Sequence, residues 1–153
     1  MSRARLERMR GGGAATRAVH PMRWARRASL AAEIVLAYVE ARRALRRAPI
    51  NLAVESLRGA PWRIRERSGQ SSLAEARDLA SAVSRTLALL PGDTRCLTRS
   101  LVLTRLLARR AIPATLVIGA HASPEFLSHA WVEHAGQAVL ASGQGVVERL
   151  VEL

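Results

Sequence analysis

The sequence predicts an α+β fold, with helices through the first two thirds and a small antiparallel sheet after them. Two features of the pattern and one of the composition lead there. Apolar residues recur at helical spacing up to about Arg110, whereas from Thr115 onward they fall in short β-branched and alternating runs. Hydrophobic residues make up 49% of the chain and aromatic ones only 3%, so the core must be leucine, valine, isoleucine and alanine, a set that leans towards helix. With 153 residues the chain is long enough for one real core.

Met1 to Arg27 holds many arginines and the run Gly11-Gly12-Gly13, and is expected to form a flexible basic arm ahead of a single domain over residues 28–153. Ser29 to Arg47 is the clearest helix. Leu30, Ile34, Ala37, Tyr38, Ala41 and Leu45 make one stripe, and arginines load the end where cations complement the dipole. Pro49 stops it. Ile50, Val54 and Leu57 give a short helix ending at Gly59, and Pro61 to Gly69 reads as a basic connector. Ser72-Leu73-Ala74-Glu75 has the form of a capping box and should open a helix that turns Leu73, Ala76, Leu79, Val83, Leu87 and Leu90 inward. Leu90-Pro91-Gly92 breaks it, and Asp93 or Thr94 is expected to cap the next helix, which runs from Cys96 to about Arg110. Thr115 to Ala120 and Leu127 to His134 read as strands. A turn at Ala135-Gly136 returns Gln137 to Ala141 alongside as a third, and Gly143 to Leu153 reads as polar and then weakly helical.

Charge is lopsided: 24 basic residues, all arginine, against 12 acidic ones, for a net charge of +12. Such a surface attracts anions of many kinds. Specific nucleic-acid binding is not expected, because the single tyrosine and phenylalanine are not interleaved with arginines, and no helix-turn-helix, zinc-knuckle or RNP-like pattern is present. One cysteine excludes an internal disulfide and a multi-cysteine zinc site, so neither metal nor cofactor is expected. Met1 to Arg10 leads into glycines rather than an apolar export segment, and the most apolar stretch, Ala28 to Ala41, carries Glu33 and Glu40 and is too short to cross a bilayer. The expected compartment is the cytoplasm.

The lone cysteine sits in the first turn of its helix. There the free backbone N–H groups, the positive end of the dipole and the flanking Arg95 and Arg99 favour a thiolate over a thiol. A free cysteine is more often a small buried apolar residue. A nucleophile would also need a base. Of the four histidines, His20 lies in the arm, while His121 and His134 stand at a strand end and beside a turn, where surface positions are usual. His129 lies within Ser128-His129-Ala130-Trp131-Val132-Glu133 and shares a strand face with Trp131 and Glu133. A cysteine opening a helix, followed by a sheet with histidine on its next-to-last strand, is the papain-like and transglutaminase-like plan. In that plan the helix start delivers the sulfur to the sheet face that presents the imidazole, and backbone N–H groups at Cys96 stabilise an oxyanion.

Cys96-Leu97-Thr98-Arg99-Ser100-Leu101, then Leu106 to Ala114, then Ile118-Gly119, and finally His129-Ala130-Trp131-Val132-Glu133 with Gly136, form a recurring set. Together they resemble the transglutaminase-like leader peptidases of lasso-peptide biosynthesis, over roughly residues 73–140. The resemblance implies a cysteine protease that cuts a ribosomal precursor between leader and core, with Cys96 as nucleophile and His129 as general base. It also implies a small leader-recognition protein as partner, and an ATP-dependent macrolactam cyclase acting on the freed core.

The family usually carries an aspartate twelve positions after the histidine. Here that position is Ala141, and residues 139–142 contain no acid. A hairpin turning at Ala135-Gly136 sets His129 opposite roughly Ser142, the candidate orienter of the ring, with a backbone carbonyl, water or Asp93 as the other options. Glu133, four strand residues away, lies about 13 Å along the strand and cannot substitute directly. Two other readings stand beside the peptidase: a non-catalytic basic binding module with a vestigial Cys/His pair, and an acyl transferase joining a glutamine side chain to an amine.

Overall fold

Four helices lead into one antiparallel sheet in the computed structural model, which describes residues 21–59, 70–92, 94–121, 127–140 and 148–153, with only the backbone for 21–23, 121 and 127. The helices are α1 (Pro21–Arg47), α2 (Ile50–Arg58), α3 (Gln70–Leu87) and α4 (Cys96–Arg109). The strands are β1 (Thr115–His121), β2 (Leu127–His134), β3 (Gln137–Ala138) and β4 (Glu148–Glu152), in the order β3-β2-β1-β4. This is the α+β layout expected, with helices first.

The nucleophile-bearing helix is the centre of the packing. α4 touches α1, α2 and α3 on one side and β1 and β2 on the other. Leu101, Val102, Leu103, Leu106 and Leu107 are fully buried along it, each contributing roughly 1.5–3 kcal/mol of transfer free energy. From α1 come Ile34, Ala37, Tyr38 and Ala41, from α3 Ala76, Val83 and Leu87, and from the sheet Leu116, Ala130 and Val132. Polar bonds reinforce one seam. Glu40 of α1 accepts from Arg105 at 2.8 Å and from Arg109 at 2.9 Å, while Glu33 holds Arg110 at 2.8 Å. Glu33 and Glu40 are two helical turns apart, so both carboxylates face α4.

Helix α4 ends in a Schellman motif. Ala111 adopts a left-handed conformation (φ 57°), and its N–H bonds to Ala108, while the Ile112 N–H bonds to Leu107 at 3.0 Å. Ile112 is buried and turns the chain into Pro113 and β1.

Several boundaries differ from those expected. α1 begins at Pro21, where the missing proline N–H costs nothing, so residues 21–27 of the expected arm are helical; residues 1–20 lie outside those described. Ser72 does not open α3. It lies inside the first turn, buried, with its Oγ 2.9 Å from His134 Nε2. The N-cap of α4 is neither Asp93, which is outside the described residues, nor Thr94. It is Arg95, extended and without a side-chain capping bond. The β2–β3 register matches the turn-based expectation, with Glu133 opposite Ala138 and His134 opposite Gln137, but β3 ends at Ala138.

The largest difference is at the carboxyl end. Glu148–Glu152 is a strand, not a helix, and pairs with β1 through Val117–Glu152, Ile118–Val151 and Gly119–Arg149. A five-residue helix is too short to stand alone, whereas the open edge of β1 offers backbone partners at once. Leu116 and Leu153 exchange hydrogen bonds of 2.7 and 2.8 Å. Arg58 ties this end to α2 by donating to the carbonyls of Ala114 and Leu153.

Candidate active site

Cys96 occupies the first helical position of α4, half-buried against the margin of the helical core. Its backbone N–H belongs to the first turn, whose amides have no intrahelical acceptor. The chain reaches this position through Gly92, which has φ 115°. A Cβ at Gly92 would stand 3.1 Å from Arg42 Nη1 and 3.2 Å from Tyr38 Oη, two atoms already bonded to each other at 2.9 Å. The positive φ favours glycine, any side chain would have to push Arg42 and Tyr38 aside by a few tenths of an ångström, and Gly92 rests directly on α1.

His129 is half-buried in β2, opposite Gly119 of β1. Its ring stacks on Trp131, with centroids 6.1 Å apart and planes inclined by 17°. The Trp131 indole N–H donates to Glu133 Oε1 at 2.8 Å. Arg149 of β4 donates to the same oxygen and to Glu152 at 2.7 Å. Burial by itself raises the Glu133 pKa, but the bonds from Trp131 and Arg149 and the Arg149 charge outweigh it, so the carboxyl is held below its ordinary value. One face of β2 thus carries a run from imidazole to indole to carboxylate to guanidinium.

The hydroxyl of Ser100 donates to the backbone carbonyl of Ala130 at 3.0 Å, in a buried position. Ser100 lies one turn beyond Cys96, and Ala130 follows His129, so this bond joins the two segments beside both candidate residues. The Ala130 carbonyl points the same way as that of Val132, which accepts from Val139. Ser100 therefore grips β2 at its edge, just past the end of β3.

Alternation divides β2 into two faces. Ala130, Val132 and His134 face the helical core, so alternation sets His129, Trp131 and Glu133 on the opposite face. The Ser100–Ala130 bond joins α4 to the His129 segment at an edge of β2. His134 is not a surface residue. It is buried, with Nδ1 2.7 Å from the Pro113 carbonyl and Nε2 facing Ser72. Because a carbonyl only accepts, Nδ1 carries the hydrogen. Its two partners lie far away in the chain, and nothing near Ala135-Gly136 signals them.

The candidate orienters Ser142 and Asp93, and Ala141 at the family's aspartate position, lie outside the described residues, as do His20 and the side chain of His121. Ser100 and Arg149 were assigned no role from sequence. Ser100 sits in plain helical spacing after Cys96, and Arg149 falls in the segment read as helix. Among the described residues no three His, Cys, Asp or Glu side chains cluster as a metal site requires, and no helix is long and apolar enough to cross a membrane.

A central helix opened by a cysteine and laid against an antiparallel sheet that carries a histidine defines a class of thiol-dependent folds. The family model of the Transglutaminase-like superfamily matches residues 35–153, from α1 through β4, and the chain belongs to that superfamily. Its members are in general cysteine hydrolases or acyltransferases. No curated protein and no solved structure matches the chain.

Proposed function

We propose that the protein is a cytoplasmic cysteine protease that removes the leader peptide from a lasso-peptide precursor. It acts with a small leader-recognition protein and passes the freed core to an ATP-dependent cyclase. The observation that carries this reading is the Ser100–Ala130 bond, which fastens the helix of Cys96 to the residue after His129 in a chain of this superfamily.

In this reading His129 reaches the sulfur around the β2 edge and takes its proton. The thiolate attacks the carbonyl carbon at the leader–core junction, and the resulting oxyanion is met by free N–H groups of the first turn of α4. The intermediate collapses as His129 returns the proton to the core amine, leaving the leader as a thioester on Cys96. Water activated by His129 then releases the leader acid and restores the thiol. Trp131, stacked on the imidazole, limits its rotation, and Glu133 with Arg149 fixes the indole.

The test incubates the full chain with a leader–core precursor, with and without the recognition protein, and weighs the products. Wild type should yield leader and core, whereas Cys96→Ala and His129→Ala should leave the precursor intact. Cleavage by Cys96→Ala overturns the assignment. A leader–amine adduct formed in the presence of added amine, in place of the leader acid, would make the protein an acyltransferase.

A further inference from the structure

Beside Cys96 lies an open, polar cavity of about 540 Å³, lined among the described residues by Gly92, Thr94, Arg95 and Arg99. Two arginines and no described acid face it. Arg99 sets this cavity apart from other basic surface. Four arginines among the described residues are half-buried. Arg42 donates to Tyr38, Arg105 is paired with Glu40, and Arg110 is paired with Glu33. The Arg99 guanidinium makes no hydrogen bond or ion pair to any described residue, and its Nε–H is buried without an acceptor. A buried N–H left without an acceptor is costly, and such groups are ordinarily paired. An anion in the cavity would be met by the two Nη nitrogens of Arg99, which are not shut off as Nε is, and would balance the charge. Arg99 is also one turn along the same helix from Cys96, so the two side chains are neighbours, and the dipole of α4 adds to the attraction.

We infer that this cavity is a carboxylate-binding subsite, in which Arg99 seats an acidic side chain of the substrate within about three residues of the bond that Cys96 attacks. The inference rests on the peptidase reading for its substrate, but the anion site itself can be probed without it. Guanidinium and carboxylate match as a two-pronged pair, and the cavity is open enough to admit a side chain from an extended peptide.

Two measurements test it. Cys96 is the only cysteine, so alkylation reports on its surroundings alone. Iodoacetate and iodoacetamide differ in little but the carboxylate. The ratio of their rates should be at least about threefold higher in wild type than in Arg99→Gln, and the difference should shrink with added salt. In the second measurement, precursors carry Asp or Asn at each of three positions on either side of the cleaved bond. At one position wild type should prefer Asp by about tenfold or more in kcat/KM. Arg99→Gln should lose that preference, and Arg99→Lys should keep part of it. Equal reagent ratios in the two proteins, together with equal cleavage of Asp and Asn precursors, overturn the subsite and leave the peptidase reading intact. A shifted reagent ratio with no precursor cut supports the anion subsite and removes the peptidase reading. Thermal unfolding of Arg99→Gln should show no loss of stability, because the substitution removes an unmatched charge.

Discussion

Glu133 is the residue on which the imidazole-bearing face of β2 depends, because it receives both Trp131 and Arg149. Its carboxyl is held below the ordinary value near 4.5, so in the folded protein it gives up its proton more readily than in the unfolded chain. The stability this lends is present above the ordinary glutamate range and is lost as pH falls through the lowered folded value. Glu133→Gln should therefore lower the urea midpoint at pH 7, while wild type and variant converge as pH falls below the lowered folded value. His134 answers a different measurement. Buried between Ser72 and the Pro113 carbonyl, it joins α3 and β2 to the segment after α4. Replacing it by alanine strands two buried polar groups and should cost about 2–4 kcal/mol in denaturant unfolding. Precursor cleavage well below the melting temperature should be unchanged. Residues such as these divide what sequence can tell. His129, Trp131 and Glu133 share a face because strand period is local, so their association was legible. The burial of His134 depends on Ser72, sixty-two positions away, and leaves no local mark.

Among the elements, the ends carry the information. Ala111 and Ala135 both have positive φ, of 57° and 50°, in places where the chain must reverse. Ala135 and Gly136 form the two-residue turn whose conformation matches strand twist, and Ala111 closes α4. An alanine in this region costs roughly 1–2 kcal/mol, and glycine escapes that at some loss of chain entropy. Ala111→Gly and Ala135→Gly should each raise stability by up to about 1 kcal/mol, read as a higher melting temperature. The helices and the β2–β3 hairpin could be read from sequence because period, proline and glycine act over a few residues. β4 could not. Leu150 and Val151 stay exposed, so no alternation of burial marks the strand, and only the open edge of β1 decides its conformation.

Across the whole molecule, the arginine excess has two uses. Part of it is internal. Arg105 and Arg109 of α4, with Arg110 at its C-cap, meet Glu33 and Glu40 of α1 and tie the two helices together. Replacing both glutamates by glutamine should cost about 1–2 kcal/mol at low salt and less at high salt, as measured by urea unfolding. Among the described residues, others, including Arg43 and Arg47 on the groove between α1 and α2, face solvent. Composition alone gives the excess of arginine, but it cannot separate these two groups, because the acids that answer the first are supplied by a distant helix.

Gly92 adds a mechanical link to this picture. Tyr38 and Arg42 bear directly on the glycine four positions before the sulfur, so a shift of this part of α1 would press on the segment that leads to the nucleophile. Anything that grips the arginine-rich stretch of α1 and turns it by a few degrees will drag the thiol with it. In such a protein the reagent can be set or spoiled from the far side of the helical layer, without any contact at the cleft itself.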